Sequence, residues 1–216
     1  MNHEKRDVPL VVVKRLPRYY RYLGELLREG ITRISSGELS KRMGVTASQI
    51  RQDFNCFGGF GQQGYGYNVE KLQHEIANIL GLSYGYKTII IGAGHLGHAL
   101  ANHTNFAKRG FELIGIFDKK PELVGTVING LPVLPMEELE PFCKTHQVNI
   151  AILPLPKSAI LEVVPRLVAL GIKGLWNFSY TDIDVPEDVA VENVHLSDSL
   201  MTLSYKLTEK QKNGEA

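Results

Sequence analysis

Gly92, Gly94 and Gly97, set as GxGxxG in Gly92-Ala93-Gly94-His95-Leu96-Gly97, are the residues of this chain whose type and spacing point most directly to chemistry. They follow the apolar run Ile89-Ile90-Ile91, and Asp118 closes a second apolar run, Phe111 to Phe117, 21 residues after Gly97. A strand, a glycine-rich turn opening a helix, and an acid ending the next strand form a dinucleotide-binding fingerprint. Gly94 has no Cβ to hold a pyrophosphate away, and Gly97 lets the helix lie close to the strand. The helix start offers free N–H groups and the positive end of its dipole to the anion. The Asp118 carboxylate can accept from a ribose 2′-hydroxyl, which favours NAD(H) over a 2′-phosphorylated cofactor. Lys119 and Lys120 pull the other way, because a basic neighbour accepts a phosphate. The bland alternative is a glycine-rich βα turn that binds nothing; the strand, helix and spaced acid together favour the nucleotide.

Other reactive constellations are not found in the sequence. His95, His98 and His103 flank the turn, but no carboxylate stands in sequence where it would orient them for acid–base work. Cys56 and Cys143 are the only cysteines and have no metal-ligand spacing, so neither a metal site nor a disulfide framework is expected. There is no nucleophile elbow and no phosphate loop of the Walker type, and no catalytic residues are assigned.

The elements that must position the turn are legible from periodicity. Met136 to His146 reads as a helix, Val148 to Leu153 as a buried strand, Ser158 to Leu170 as a helix, and Gly174 to Asn177 and Val189 to Val194 as strands. Lys119 to Pro135 reads as a loop with one short strand. Strands alternating with helices imply an α/β fold with a doubly wound parallel sheet, whose ligands lie at the carboxyl ends of the strands. That end would gather Gly92 to Gly97, Asp118, Lys119, Pro154-Leu155-Pro156 and Asn177-Phe178 around one crevice.

About 85 residues precede this unit, enough for a small domain. Residues 1–86 hold 12 Lys and Arg against 8 Asp and Glu, a net of +4, whereas residues 87–216 hold 12 against 15, a net of −3. A basic first domain points to a polyanion. Leu16, Tyr20, Leu23, Leu27 and Ile31 recur at helical spacing, with Pro17 in the first turn and Gly30 as a stop. Ser35-Ser36-Gly37-Glu38 is a capping box opening a short helix that Gly44 ends, and Thr46-Ala47-Ser48-Gln49 is a second box opening a helix to about Asn55. Two short capped helices joined by a tight turn make a helix-turn-helix. The second would be the recognition helix, with Ala47, Ser48, Gln49, Arg51 and Gln52 outward and Ile50 and Phe54 inward. Arg can pair with guanine and Gln with adenine in the major groove. The glycine- and aromatic-rich run from Phe57 to Tyr67 reads as a β-wing with Gln62 and Gln63 at its tip. Asn68 then caps a helix ending at Gly81. The alternative for this unit is a three-helix bundle that makes protein contacts only.

The tail, Asp198 to Lys210, reads as an amphipathic helix with Leu200, Leu203 and Leu207 on one side, suited to burial against a second subunit or against its own domain. The parts divide as 1–84, 85–196 and 197–216. No apolar stretch approaches the roughly 20 residues that span a bilayer, and Met1 to Asp7 is polar with no signal-like apolar region. The expectation is a cytoplasmic protein with no membrane partner.

Several strings resemble the Rex family of redox-sensing transcriptional repressors. They are Lys14-Arg15-Leu16-Pro17, Ser35-Ser36, Gly44-Val45-Thr46, Gln49-Ile50-Arg51, Phe57-Gly58-Gly59-Phe60-Gly61, Gly64 to Val69, Gly92 to Gly97, Leu170 to Gly174, and Asn177-Phe178. The resemblance implies a homodimer with an N-terminal winged helix, a Rossmann domain binding NAD(H), and a last helix exchanged between subunits. It implies that NADH releases the protein from a palindromic operator. It adds Lys14, Arg15, Ser36, Thr46, Phe60 and Gly61 to the expected DNA contacts, beside Ala47, Ser48, Gln49, Arg51, Gln52, Gln62 and Gln63. The chain also departs from the pattern. Many relatives carry a basic residue where Gln52 stands, basic residues where Gln62 and Gln63 stand, a tyrosine where His103 stands, and an aspartate where His195 stands. That aspartate pairs with a basic residue matched here by Arg21, and a neutral His195 cannot make the ion pair. The competing function is a small NAD- or CoA-dependent enzyme whose first domain serves assembly.

Overall fold

The computed structural model describes residues 8–57, 61–62, 65–103 and 106–213, with the side chains of Gly61 and Gln62 left aside. The chain divides into two compact units, Met1–Tyr84 and Gly85–Ala216, so the tail goes with the second.

The first unit begins with α1 (Leu10–Val13) and α2 (Leu16–Arg28). Four of the 13 residues of α2, Leu16, Tyr19, Leu23 and Leu26, are buried, at three- and four-residue spacing. The short strand β1 (Arg33–Ile34) leads to α3 (Ser36–Met43), α4 (Ala47–Asn55), β2 (Gly61–Gln62), β3 (Gly66–Asn68) and α5 (Val69–Ile79). β3 pairs antiparallel with both β1 and β2. β1 was not anticipated, because a two-residue strand carries no periodicity. The helices close on one core of Leu16, Tyr19, Leu23, Leu39, Ile50, Phe54, Leu72 and Ile76. Phe54 lies edge-on to both Tyr19 and Tyr67, at centroid distances of 4.9 and 5.2 Å. This is a helix-turn-helix with a β-wing, as expected.

The second unit holds β4 (Tyr86–Ile91), α6 (His95–Ala101), β5 (Phe111–Asp118), β6 (Val127–Ile128), β7 (Leu131–Pro135), α7 (Leu139–Thr145), β8 (Ile150–Leu153), α8 (Lys157–Ala169), β9 (Gly174–Asn177), β10 (Ala190–Asn193) and α9 (Leu196–Lys212). Where one short strand was expected in Lys119 to Pro135 there are two, β6 and β7, joined through Asn129 and Gly130 with positive φ. The sheet order is β10-β9-β8-β4-β5-β7-β6, parallel throughout except the β6–β7 edge. The chain winds outward from β4 through β5 and β7, then returns to the other side of β4 with β8. The topological switch point therefore lies between β4 and β8.

One sheet face packs Ile89, Ile91 and Leu153 against α7 and α8, through Leu139, Ile160, Val164 and Leu167. The other face packs Ile90, Ile116 and Ile152 with Ala101 of α6. It leaves a cavity of about 570 Å³ lined by Ile90, Phe106, Ile152, Trp176 and Val191 among others. In α9, Leu200, Leu203 and Leu207 are 67, 50 and 53% exposed, so the apolar stripe read from the sequence stays largely uncovered among the described residues.

Candidate nucleic-acid interface and dinucleotide crevice

The glycine turn occupies the switch point. Gly92 follows β4 with φ +108°, a conformation L side chains rarely adopt. A Cβ at Gly97 would lie 1.8 Å from the Gly92 carbonyl oxygen and 3.3 Å from Pro154 Cγ, so α6 sits directly on the turn and on the loop after β8. Gly94 differs: nothing stands within 4 Å of where its Cβ would be, which leaves the cradle open where a pyrophosphate would approach. The Asp118 carboxylate, 8% exposed, accepts from the Ala93 N–H at 2.7 Å and the Lys120 N–H at 2.8 Å. The acid thus braces the turn, and each of its oxygens retains a lone pair. The Phe178 N–H donates to the Leu153 carbonyl, bringing Asn177-Phe178 beside Pro154-Leu155-Pro156. Asn177, fully buried, donates to Asn193 Oδ1 and the Thr181 carbonyl, which fixes this rim. The strand ends thus gather the turn, Asp118, Pro154 to Pro156 and Asn177-Phe178. His95 and His98 are exposed on α6. The His103 ring lies 4.5 Å from Phe106, which meets Trp176, which meets Phe178.

In the first unit, Ser35 and Glu38 form the expected capping box at α3. The second box forms only by half. Thr46 Oγ1 accepts from the Gln49 N–H at 3.1 Å, but the Gln49 side chain does not return to the cap; its Nε2 donates to Asp53 Oδ1 at 2.9 Å. Asp53 went unread in the sequence. It lies on the inner face of α4, 1% exposed, and draws Arg15 and Tyr19 as well as Gln49. Its signal was a carboxylate between Ile50 and Phe54, four residues after a glutamine. Arg15, expected at DNA, has Nε and Nη2 on Asp53, with its side chain only 29% exposed. Its fork is therefore a structural element of the fold, while neighbouring Lys14 stays exposed. Arg51 Nη1 donates to Ser36 Oγ at 3.0 Å, linking α4 to the start of α3. Thr46, Ser48, Arg51 and Gln52 are exposed, and Ala47 and Gln49 are half-buried. Arg33 of β1 lies over the Tyr65 ring at 6.0 Å, a wing contact that sequence reasoning did not reach. Phe60 and Gln63 lie outside the described residues, and Gly61 and Gln62 form β2.

Burial pushes the Asp53 carboxyl up, but the bonds from Arg15, Tyr19 and Gln49 outweigh it and hold it below the usual carboxylate range. Burial and the neighbouring carboxylate together raise the Tyr19 hydroxyl far above its ordinary value. A carboxyl whose folded pKa is depressed stabilises fully above its unfolded value and loses that contribution as pH falls through the folded one. Melting of the first unit, followed by circular dichroism, should drop on acidification below about pH 4, and the drop should shrink in Asp53→Asn. An equal drop in both proteins would contradict this.

Comparison with known proteins decides the family. Residues 7–55 match the family described as "Putative DNA-binding protein N-terminus", and residues 83–181 match "CoA binding domain". The chain is 56% identical over 208 residues to the redox-sensing transcriptional repressor Rex of Thermoanaerobacter pseudethanolicus, covering 96% of this chain and 93% of that one. It belongs to the Rex family. A Rex of Clostridium perfringens is 52% identical over 204 residues, 94% of this chain and 96% of that one. Among solved structures, the Rex-family repressor RSP in complex with β-NAD⁺ and operator DNA superposes with a TM-score of 0.89 at 55% identity, covering 98% of this chain and 97% of that one. RSP in complex with β-NADH gives the same TM-score at 52% identity, covering 98% and 99%. These Rex relatives are named as repressors, which favours the regulator over the enzyme alternative. No helix among the described residues is long and apolar enough to cross a membrane.

Proposed function

We propose that this chain is a DNA-binding transcriptional repressor that senses the NADH/NAD⁺ ratio and leaves a palindromic operator when NADH binds. The observation that carries the reading is the union, in one chain, of a winged helix-turn-helix and a dinucleotide crevice at a sheet switch point. Its support is RSP, solved with β-NAD⁺ and operator DNA and with β-NADH. Gly92, Ala93, Gly94, His95, Leu96 and Gly97 hold the pyrophosphate, and Asp118 and Lys119 hold the adenosine ribose. Pro154, Leu155, Pro156, Asn177 and Phe178 surround the nicotinamide. The cofactor brings a ring that is cationic when oxidised and neutral when reduced. The apolar surfaces of Pro154, Pro156 and Phe178 penalise the cationic ring by withholding water from it.

Lys14, Ser36, Thr46, Ala47, Ser48, Gln49, Arg51, Gln52 and the wing residues Phe60, Gly61, Gln62 and Gln63 form the DNA face. Two such faces in a symmetric dimer read one half-site each. The dimer forms through α9, whose exposed leucines and the open apolar cavity of the second unit are each unmatched within one chain, as interface patches are. Arg21 of the first unit, and His103 and His195 of the second, are the residues assigned to the switch by the family resemblance. His195 opens α9 with Nδ1 3.8 Å from Asp198 Oδ2, and its buried Nε2 has no partner among the described residues. The protein acts in the cytoplasm, where operator DNA is reached.

The test is a gel retardation with operator selected from random DNA. NADH should release the complex at concentrations where NAD⁺ does not. Turnover of a nicotinamide substrate, with no retarded DNA, would favour an enzyme instead. Arg51→Ala should weaken operator binding by roughly 1–3 kcal/mol and random-DNA binding far less.

A further inference from the structure

Asp53 belongs to the recognition helix yet is buried, and its two oxygens take four hydrogen bonds. Oδ2 accepts from Arg15 Nε at 2.7 Å and from the Tyr19 hydroxyl at 2.8 Å. Oδ1 accepts from Arg15 Nη2 at 2.6 Å and from Gln49 Nε2 at 2.9 Å. A carboxylate has about four lone-pair sites, so this one is filled. It also only accepts, so the Gln49 amide must turn its nitrogen toward it. The usual ambiguity between amide oxygen and nitrogen is thereby removed by chemistry. The half-formed capping box at Thr46 agrees, because the amide that could have closed it is held by Asp53 instead.

Gln49 Nε2 has two hydrogens, and with the one anti to the carbonyl on Asp53, the other N–H and Oε1 lie together on one edge of the amide. That donor–acceptor pair is the complement of adenine N7 and N6 in the major groove. We infer that Asp53 is a positioning residue for base recognition, locking the Gln49 amide in the orientation that reads adenine. The inference rests on the DNA-binding reading of the first unit. Free of the lock, the amide would flip and present nitrogen where oxygen stood, and adenine would lose its advantage.

The experiment uses the full chain and its selected operator, with every base pair of a half-site replaced in turn and affinity read by fluorescence anisotropy. Wild type should lose roughly tenfold or more on replacing one adenine, and Gln49→Ala should bind all four bases there alike. Gln49→Glu sets a second carboxylate against Asp53 and should also lose the adenine preference. Asp53→Asn, which can donate as well as accept, should narrow it to about two- or threefold. Because Asp53→Asn could unfold the first unit, the lock is read independently in wild type by NMR. The Gln49 side-chain amide, identified by its absence in Gln49→Ala, should show one proton shifted downfield and protected from exchange. Freely exchanging amide protons, or an adenine preference that survives in Gln49→Ala or in folded Asp53→Asn, would overturn the inference. Failure to bind any operator would overturn the DNA-binding reading instead, and the amide resonance would still report on the lock.

Discussion

Gly94→Val should produce a repressor that folds normally and holds its operator at every NADH concentration. The backbone at Gly94 has φ −65° and ψ −173°, which valine adopts, and beyond its two chain neighbours no atom of the described residues lies within 4 Å of the position its Cβ would take. The substitution therefore leaves the fold alone and fills the space a pyrophosphate needs. NADH affinity should fall by a hundredfold or more, about 3 kcal/mol or more, with little change in melting temperature. Gly97→Ala fails by another route. Its Cβ would stand 1.8 Å from the Gly92 carbonyl, so helix and turn must separate before the chain can fold. A cost of roughly 3 kcal/mol to the second unit is expected, with NADH binding lost as a consequence. Titration of NADH and thermal melts of both variants separate the two. NADH binding by Gly94→Val at wild-type strength would mean that the turn is not the pyrophosphate site.

Asp53→Ala should unfold the first unit while sparing the second. Removing one partner from a buried ion pair leaves an uncompensated group and costs about 3–5 kcal/mol. Here it orphans the Tyr19 hydroxyl, whose residue is 0% exposed, and Arg15, whose side chain is 29% exposed. The partial exposure of Arg15 lets water replace some of the lost interaction and puts the expected cost near the lower figure, about 3 kcal/mol. The chain has a single tryptophan, Trp176 in β9, so its fluorescence follows the second unit alone. Circular dichroism should reveal an earlier transition that Trp176 does not register. Coincident transitions at the wild-type midpoint would show that the Asp53 network contributes little.

The parts that could be read from sequence are those set by local rules. Caps at Ser35, Thr46 and Asn68 and glycine stops after the helices located the winged helix, and the GxGxxG spacing with Asp118 located the crevice. The parts that escaped depend on tertiary partners. β1 exists because two residues find β3, and Asp53 is buried because Arg15, 38 positions away, turns inward to meet it. That meeting gives Arg15 a structural task where a DNA contact was expected, and it takes the Gln49 amide from its cap. Only one strand of the β6–β7 pair was expected, because β6 is two residues long and the turn at Asn129-Gly130 follows it directly. The tail helix was legible as amphipathic, but an apolar stripe does not say what covers it.

The central claim is a thermodynamic coupling between the crevice and the DNA face. A ligand shifts a protein between two forms only by its different affinity for them, and the coupling is reciprocal. If NADH releases the operator, the operator must weaken NADH binding by the same factor. The direct measurement is a calorimetric titration of NADH into the protein with and without saturating operator DNA. A loss of NADH affinity of about 5- to 150-fold, or roughly 1–3 kcal/mol, is expected in the presence of operator. Equal affinities in the two titrations would contradict the account.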